Sequence, residues 1–373
     1  MKWLKRGLIA LVLIGAFVVI AMDDPNAGLK RQAIQFKAGD NQLAGELILP
    51  SGTKTPHQCV VFVHGSGDVP TDAFGYYLPL WRVLAANGWC AMSWHKPGVG
   101  DSSGDWRSQS MQDRADEVAA AIRYLRQTLG LKDGKLGLMG FSQAGWVIPK
   151  VAHQVENIDF LISVGGAVNW MAQSEYSGRQ RRLAAGYSES AIAAEQAAEA
   201  KVDALIQSGA SYQNYLDQVN QNKKAPMSEA FWQFVQRNWA SDVTADLTDL
   251  DVPMLALFGA RDAYVDSDKT ASTYHKLLAN APLPFYHVRV FEHADHSLLR
   301  TDNIANAHSE HHRWLTLARI WWQGDAAFAD GVMPCLTSWL AQFESGWPRQ
   351  TNICVPEQLS DVKPVLNTDT MQG

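Results

Sequence analysis

Lys135-Leu136-Gly137-Leu138-Met139-Gly140-Phe141-Ser142-Gln143-Ala144-Gly145-Trp146 is the stretch on which the reading of the fold turns. The apolar run 135–139 has the length of a buried strand, 140–145 is a turn of small residues, and 146–155 reads as a helix. A serine at such a strand-to-helix turn sits where backbones crowd, so the positions two before and two after it must be small. Gly140 and Ala144 occupy them, giving G-x-S-x-A followed by Gly145 in place of the stricter G-x-S-x-G. A serine in a plain turn would need neither the strand before nor the helix after. The context makes Ser142 a candidate nucleophile.

The flanking sequence repeats this alternation. Residues 43–49 alternate as a strand ended by Pro50-Ser51-Gly52, and Cys59-Val60-Val61-Phe62-Val63 is a continuous apolar run stopped by His64-Gly65-Ser66-Gly67. A helix-like stretch 78–86 leads to a second apolar run, 89–94. Residues 113–129 place Val118, Ile122, Leu125 and Leu129 on one helical face, and 160–164 reads as a strand. Strands alternating with helices predict a parallel sheet covered on both faces. From about 167 to 250 Ala, Gln and Glu dominate, and the aromatic run 231–235 follows, which predicts a helical insertion. Sheet-like runs return at 254–258 and 286–291, with late helices at 314–322 and 336–343.

These parts together resemble the α/β-hydrolase family over residues 40–345, and the resemblance implies the fold class α/β, a mostly parallel sheet with helices on both faces and a helical cap. Residues 33–166 and 251–345 would form the core, 167–250 the cap and 346–373 a C-terminal tail. His64-Gly65-Ser66-Gly67 resembles the family's oxyanion turn, so the backbone N–H groups of Ser66 and Gln143 are the expected donors, with His64 architectural. His95-Lys96-Pro97-Gly98-Val99-Gly100-Asp101-Ser102 resembles the glycine-rich loop after the next strand, with His95 where an Asp is usual. Leu257-Phe258-Gly259-Ala260-Arg261-Asp262 resembles the strand-end acid motif, with Asp262 preferred over Asp266. His296 in Phe291-Glu292-His293-Ala294-Asp295-His296 matches the family histidine. His293 is read as bordering the site or facing solvent.

The implied activity is serine hydrolysis of carboxylic esters, with a serine peptidase, a thioesterase or a catalytically silent binding protein as alternatives; the fold alone does not choose among them. The expected partner is a small ester or a short peptide. Trp170, Trp232 and Trp239 are expected to line an apolar acyl pocket, and Glu175 is the carboxylate that could hold a peptide terminus. No cofactor is implied, and no CxxC spacing suggests a metal.

Composition limits the other classes. The 373 residues are 47% apolar and 19% charged, with a net charge of −6, so no basic stripe points to nucleic acid. Lys2, Lys5 and Arg6 precede an uncharged apolar run, 7–22, ended by Asp23 and Asp24, which predicts an export signal or a retained N-terminal membrane anchor. A periplasmic or extracellular location, or attachment to the membrane, follows. Of the four cysteines, Cys335 and Cys354 are the expected pair, and Cys59 and Cys90 are expected as free buried thiols.

Overall fold

The computed structural model describes residues 29–346 and Cys354, except 56, 132, 222–224 and 303–312. The N-terminal run 1–22, the histidines 308, 311 and 312, and the chain beyond 356 lie outside the described residues. Among the described residues no helix is long and apolar enough to cross a membrane.

Eight strands form one sheet: β1 (Leu29–Ala38), β2 (Asn41–Pro50), β3 (Gln58–Val63), β4 (Cys90–Trp94), β5 (Lys135–Phe141), β6 (Phe160–Val164), β7 (Met254–Gly259) and β8 (Tyr286–Phe291). Their order is β1-β2-β4-β3-β5-β6-β7-β8. From β4 to β8 neighbours pair in parallel, and β1 and β2 add an antiparallel edge. This is an α/β-hydrolase fold. The continuous apolar runs are explained by burial on both faces. Val61, Leu138 and Leu161 look toward one helical layer, and Val60, Phe62, Phe160 and Ile162 toward the other.

The first layer is built from α2 (Met111–Gln127), α3 (Ile148–Gln154) and α9 (Ser267–Leu278). Val118, Ile122 and Leu125 of α2 are the predicted apolar stripe and are fully buried. A reciprocal capping box of Ser110 and Asp113 starts that helix. The second layer holds α1 (Tyr77–Ala86), α10 (Arg313–Gln323) and α11 (Val332–Glu344), through Trp81, Ile320 and Trp339. Each fully buried Leu, Val or Phe contributes about 1.5–3 kcal/mol, so the sheet interior dominates stability. Between β6 and β7 the described residues form five helices: α4 (Trp170–Ala184), α5 (Glu189–Gln207), α6 (Tyr212–Gln221), α7 (Glu229–Asn238) and α8 (Thr244–Thr248).

Two expectations need correction here. β1, which carries Lys30, Arg31 and Lys37, was not read as a strand; it is a half-exposed edge whose inner residues are Ile34, Phe36 and Ala38. Cys59 and Cys90 are not free thiols but form a disulfide, as Cys335 and Cys354 also do. The reason is register: Cys59 and Cys90 are direct partners on the adjacent parallel strands β3 and β4, with Cα atoms 4.4 Å apart.

Candidate active site

Ser142 follows the last residue of β5 and opens a short 3-10 turn, Ser142–Trp146, that runs into α3. Its φ is +51°, in the left-handed region that costs a residue with a side chain about 1–2 kcal/mol. The crowding predicted around it is present. A methyl group on Gly140 would lie 2.9 Å from Ile148 Cγ2, and one on Gly145 would lie 2.7 Å from Gly166 Cα. Ala144, fully buried, is the tolerated departure from glycine.

Asp262 and His296 come from the ends of β7 and β8. His296 Nδ1 lies 2.7 Å from Asp262 Oδ2, and the other carboxyl oxygen accepts the N–H groups of Tyr264 and Val265 at 2.7 and 2.9 Å. The Asp262 side chain is completely buried, and that of His296 is largely so, 16% exposed. Desolvation works to lower the His296 pKa, but the charge and hydrogen bond of Asp262 outweigh it and raise it above 6.5. The two loops approach closely because β7 ends in glycine: a methyl on Gly259 would fall 2.1 Å from Asp295 O. Asp266, the rival acid, is instead the N-cap of α9 and accepts from Lys269 N. His293 faces solvent and pairs with Asp302.

Sequence reasoning missed the supports of the histidine loop. Asp295 accepts the N–H groups of Ser297 and Leu299 at 2.8 and 2.9 Å, and burial lifts its pKa to about 6. Tyr76 donates to Ser297 O at 2.8 Å, and Tyr176 of α4 donates to Asp262 O at 3.0 Å. Ser142 Oγ makes no hydrogen bond among the described residues. His296 stands next to the serine chamber through Gly165, where a methyl would lie 2.9 Å from His296 Cε1. Free enzymes commonly hold such a serine and histidine apart until substrate is bound.

The turn His64-Gly65-Ser66 packs against the serine. A methyl on Gly65 would lie 3.3 Å from Ser142 Cβ. His64 is buried and neutral, with burial pushing its pKa down to about 3. Its Nε2 faces Trp94 O and must carry the proton, so Nδ1 accepts from Tyr77 OH at 2.9 Å. Beneath the turn, Lys96 Nζ donates to Gly65 O at 3.0 Å. Arg114 donates to Gln143 Oε1 at 2.7 Å and, through its other terminal nitrogen, to His64 O. His95, at the position where Asp is usual, accepts from Thr71 N at 3.1 Å.

A cavity of about 210 Å³ opens over Ser142, and both Ser66 and Gln143 border it. Its apolar wall is Trp146, Trp170, Phe231, Phe234, Ala167 and Val265, and among the described residues no charged side chain lines it. Of the three tryptophans expected here, only Trp170 arrives, stacked on Trp146 at 5.3 Å. Trp232 stacks on Tyr215 in the core, and Trp239 packs against that core. The phase of α7 turns Phe231 and Phe234 to the chamber in their place. Two larger cavities, about 500 and 780 Å³, flank α4, and Glu175 borders both.

The serine aminopeptidase S33 family pattern matches residues 54–303. Among solved structures, an esterase of Pyrococcus furiosus superposes with a TM-score of 0.50 at 13% identity, covering 81% of this chain and 94% of that one. A proline iminopeptidase of Mycobacterium smegmatis gives a TM-score of 0.47 at 17% identity, covering 79% and 99%. A proline iminopeptidase-related protein of Thermus thermophilus gives 0.49 at 18%, covering 72% and 92%. No curated protein sequence matches the chain. At 13% identity the likeness to the Pyrococcus esterase speaks for the fold alone, and the family match covers two thirds of the chain. The chain is a hydrolase and belongs to the serine aminopeptidase S33 family of the α/β-hydrolase superfamily.

Proposed function

We propose that the protein hydrolyses carboxylic esters through an acyl-enzyme on Ser142. His296 Nε2 takes the hydroxyl proton as Ser142 Oγ attacks the ester carbonyl carbon, and Asp262 holds the ring in the tautomer that leaves Nε2 free. The N–H groups of Ser66 and Gln143 stabilise the tetrahedral oxyanion. The intermediate expels the alcohol, which takes the proton from His296, and water then releases the acid by the same path. A rotation of the Ser142 side chain toward His296 completes the arrangement when substrate is bound. The carrying observation is the chamber over Ser142: its aromatic wall suits an apolar acyl group, and its polar lining, Gln173 and the serines, includes no carboxylate among the described residues to pair with a free ammonium terminus.

The peptidase reading is favoured by the match to the serine aminopeptidase S33 family and by the carboxyl of Glu175 at the edge of the adjoining cavities. Turnover of a p-nitrophenyl ester chain-length series beside aminoacyl p-nitroanilides separates the two, with Ser142→Ala as control. Ester turnover that vanishes in the control is the expected result; anilide turnover alone would replace the ester reading with the peptidase one, and silence on both would favour a binding protein. The basic and apolar N-terminal run supports export or membrane attachment, and the two disulfides fit an oxidising compartment.

A further inference from the structure

Two basic side chains lie buried under the turn that carries one of the proposed oxyanion donors. Lys96 and Arg114 are 2% and 4% exposed, and neither forms a salt bridge among the described residues. The neighbouring carboxylate, Glu117, is taken by Trp94 Nε1 at 2.7 Å and Gln109 Nε2 at 2.6 Å, and Asp68 accepts from Trp106 Nε1. Buried cations without a directly bonded carboxylate are costly, and sheet packing does not call for them. Their hydrogen bonds go to two backbone carbonyls and one side-chain amide, and all three belong to the oxyanion segments.

The peptide plane explains why those carbonyls matter. In a trans peptide the C=O and the following N–H point in opposite directions. Fixing Gly65 O against Lys96 therefore directs the Ser66 N–H away from the core, toward the chamber that Ser66 borders. Arg114 uses one planar guanidinium to tie the turn, through His64 O, to Gln143, the residue with the other donor. We propose that Lys96 and Arg114 are positioning residues that set the direction and spacing of the two oxyanion-hole N–H groups. Lys96 Nζ donates to Gly65 O whether the amine is charged or neutral, so the role does not depend on its protonation. Its Nζ also rests 4.5 Å above the centre of the Trp106 ring, whose edge contact with Phe234 joins the clamp to the chamber wall.

The inference rests on the ester-hydrolase reading, and the test distinguishes their failures. The second-order rate of Ser142 phosphonylation by a fluorophosphonate is measured on the full chain, because the phosphonyl oxygen occupies the oxyanion hole without any need for the natural substrate. Lys96→Met is expected to slow labelling by about 10- to 100-fold, a fraction of what loss of a whole donor costs. On the best ester, kcat should fall similarly while KM stays within about twofold, since ground-state binding does not use the hole. Arg114→Lys, which keeps a cation but can bridge only one of the two partners, provides the second arm if Lys96→Met does not fold, with a loss of about tenfold. Wild-type rates in both folded variants, or a rise in KM at unchanged kcat, would overturn the clamp while leaving the hydrolase reading intact. A wild-type protein that resists labelling would overturn that reading and the clamp with it.

Discussion

The strands and the helical segment above them are built to different standards. Every residue of β6 and β7 is buried, whereas α5, nineteen residues long, buries only Ile192 and Ile206, and α4 only Gly178 and Arg182. The serine turn, the acid loop and the histidine loop all sit on strand ends, cross-braced by backbone hydrogen bonds and by glycines that allow contact closer than a methyl group would. Placement to a fraction of an ångström is needed where bonds are made, and a scaffold of buried strands supplies it. The chamber wall is shared between the two regions. The exposed faces of α4 and α5 can change sequence there while the reacting groups stay on the strand ends, with Tyr176 of α4, bonded to Asp262 O, as the link between the two regions.

The largest effect belongs to the strand-end side. Asp262→Asn should lower ester turnover on the order of 10⁴-fold, because the amide favours the wrong imidazole tautomer. It should also move the acid limb of the pH profile. His296 must be neutral to accept the serine proton, so activity falls as pH drops through its pKa, which Asp262 raises above 6.5. Without that carboxyl the desolvation of the ring remains, and the limb should shift to lower pH. A profile whose limb stays in place would assign the titration to another group, Asp295 being the neighbour with a pKa near 6.

A second comparison sets Leu138→Ala in β5 against Phe231→Ala in α7. Leu138 is fully buried, and its truncation should cost about 3 kcal/mol in urea unfolding. Phe231 is 37% exposed, so its loss should cost well under that while shifting the preferred acyl length of the ester series, since it borders both the serine chamber and the larger cavity behind it. Equal stability losses, or an unchanged chain-length profile, would remove the division of labour.

The same contrast explains what could be read from the sequence. Ser142 was singled out because a strand, a turn of small residues and a helix surround it, and Asp262 and His296 because the segments after two late strand-like runs resemble the family's acid and histidine motifs; the structure brings Asp262 and His296 within 2.7 Å of each other. Asp262 was preferred over Asp266 by its place in the strand-end motif that the family resemblance supplies, and the structure gives Asp266 the capping position of α9. The Cys59–Cys90 bond was not legible, because it depends on β3 and β4 lying side by side in register. β1 was hidden by its charged outer face. The aromatic run 231–235 was visible, but which of its side chains faces the chamber is a matter of helical phase against the sheet, and Trp232 was taken where Phe231 and Phe234 belong. Lys96 lies in the glycine-rich loop and Arg114 near the start of α2, and only the folded turn shows that Lys96 reaches Gly65 while Arg114 reaches His64 and Gln143.

The central claim is that Ser142 is the nucleophile. Four serines border the chamber, Ser66, Ser142, Ser174 and Ser177, so a measurement that names the atom decides it. Digestion and mass mapping after fluorophosphonate treatment should place a single adduct on Ser142, absent from Ser142→Ala. An adduct on Ser66, Ser174 or Ser177, or full labelling of the Ser142→Ala protein, would contradict the account.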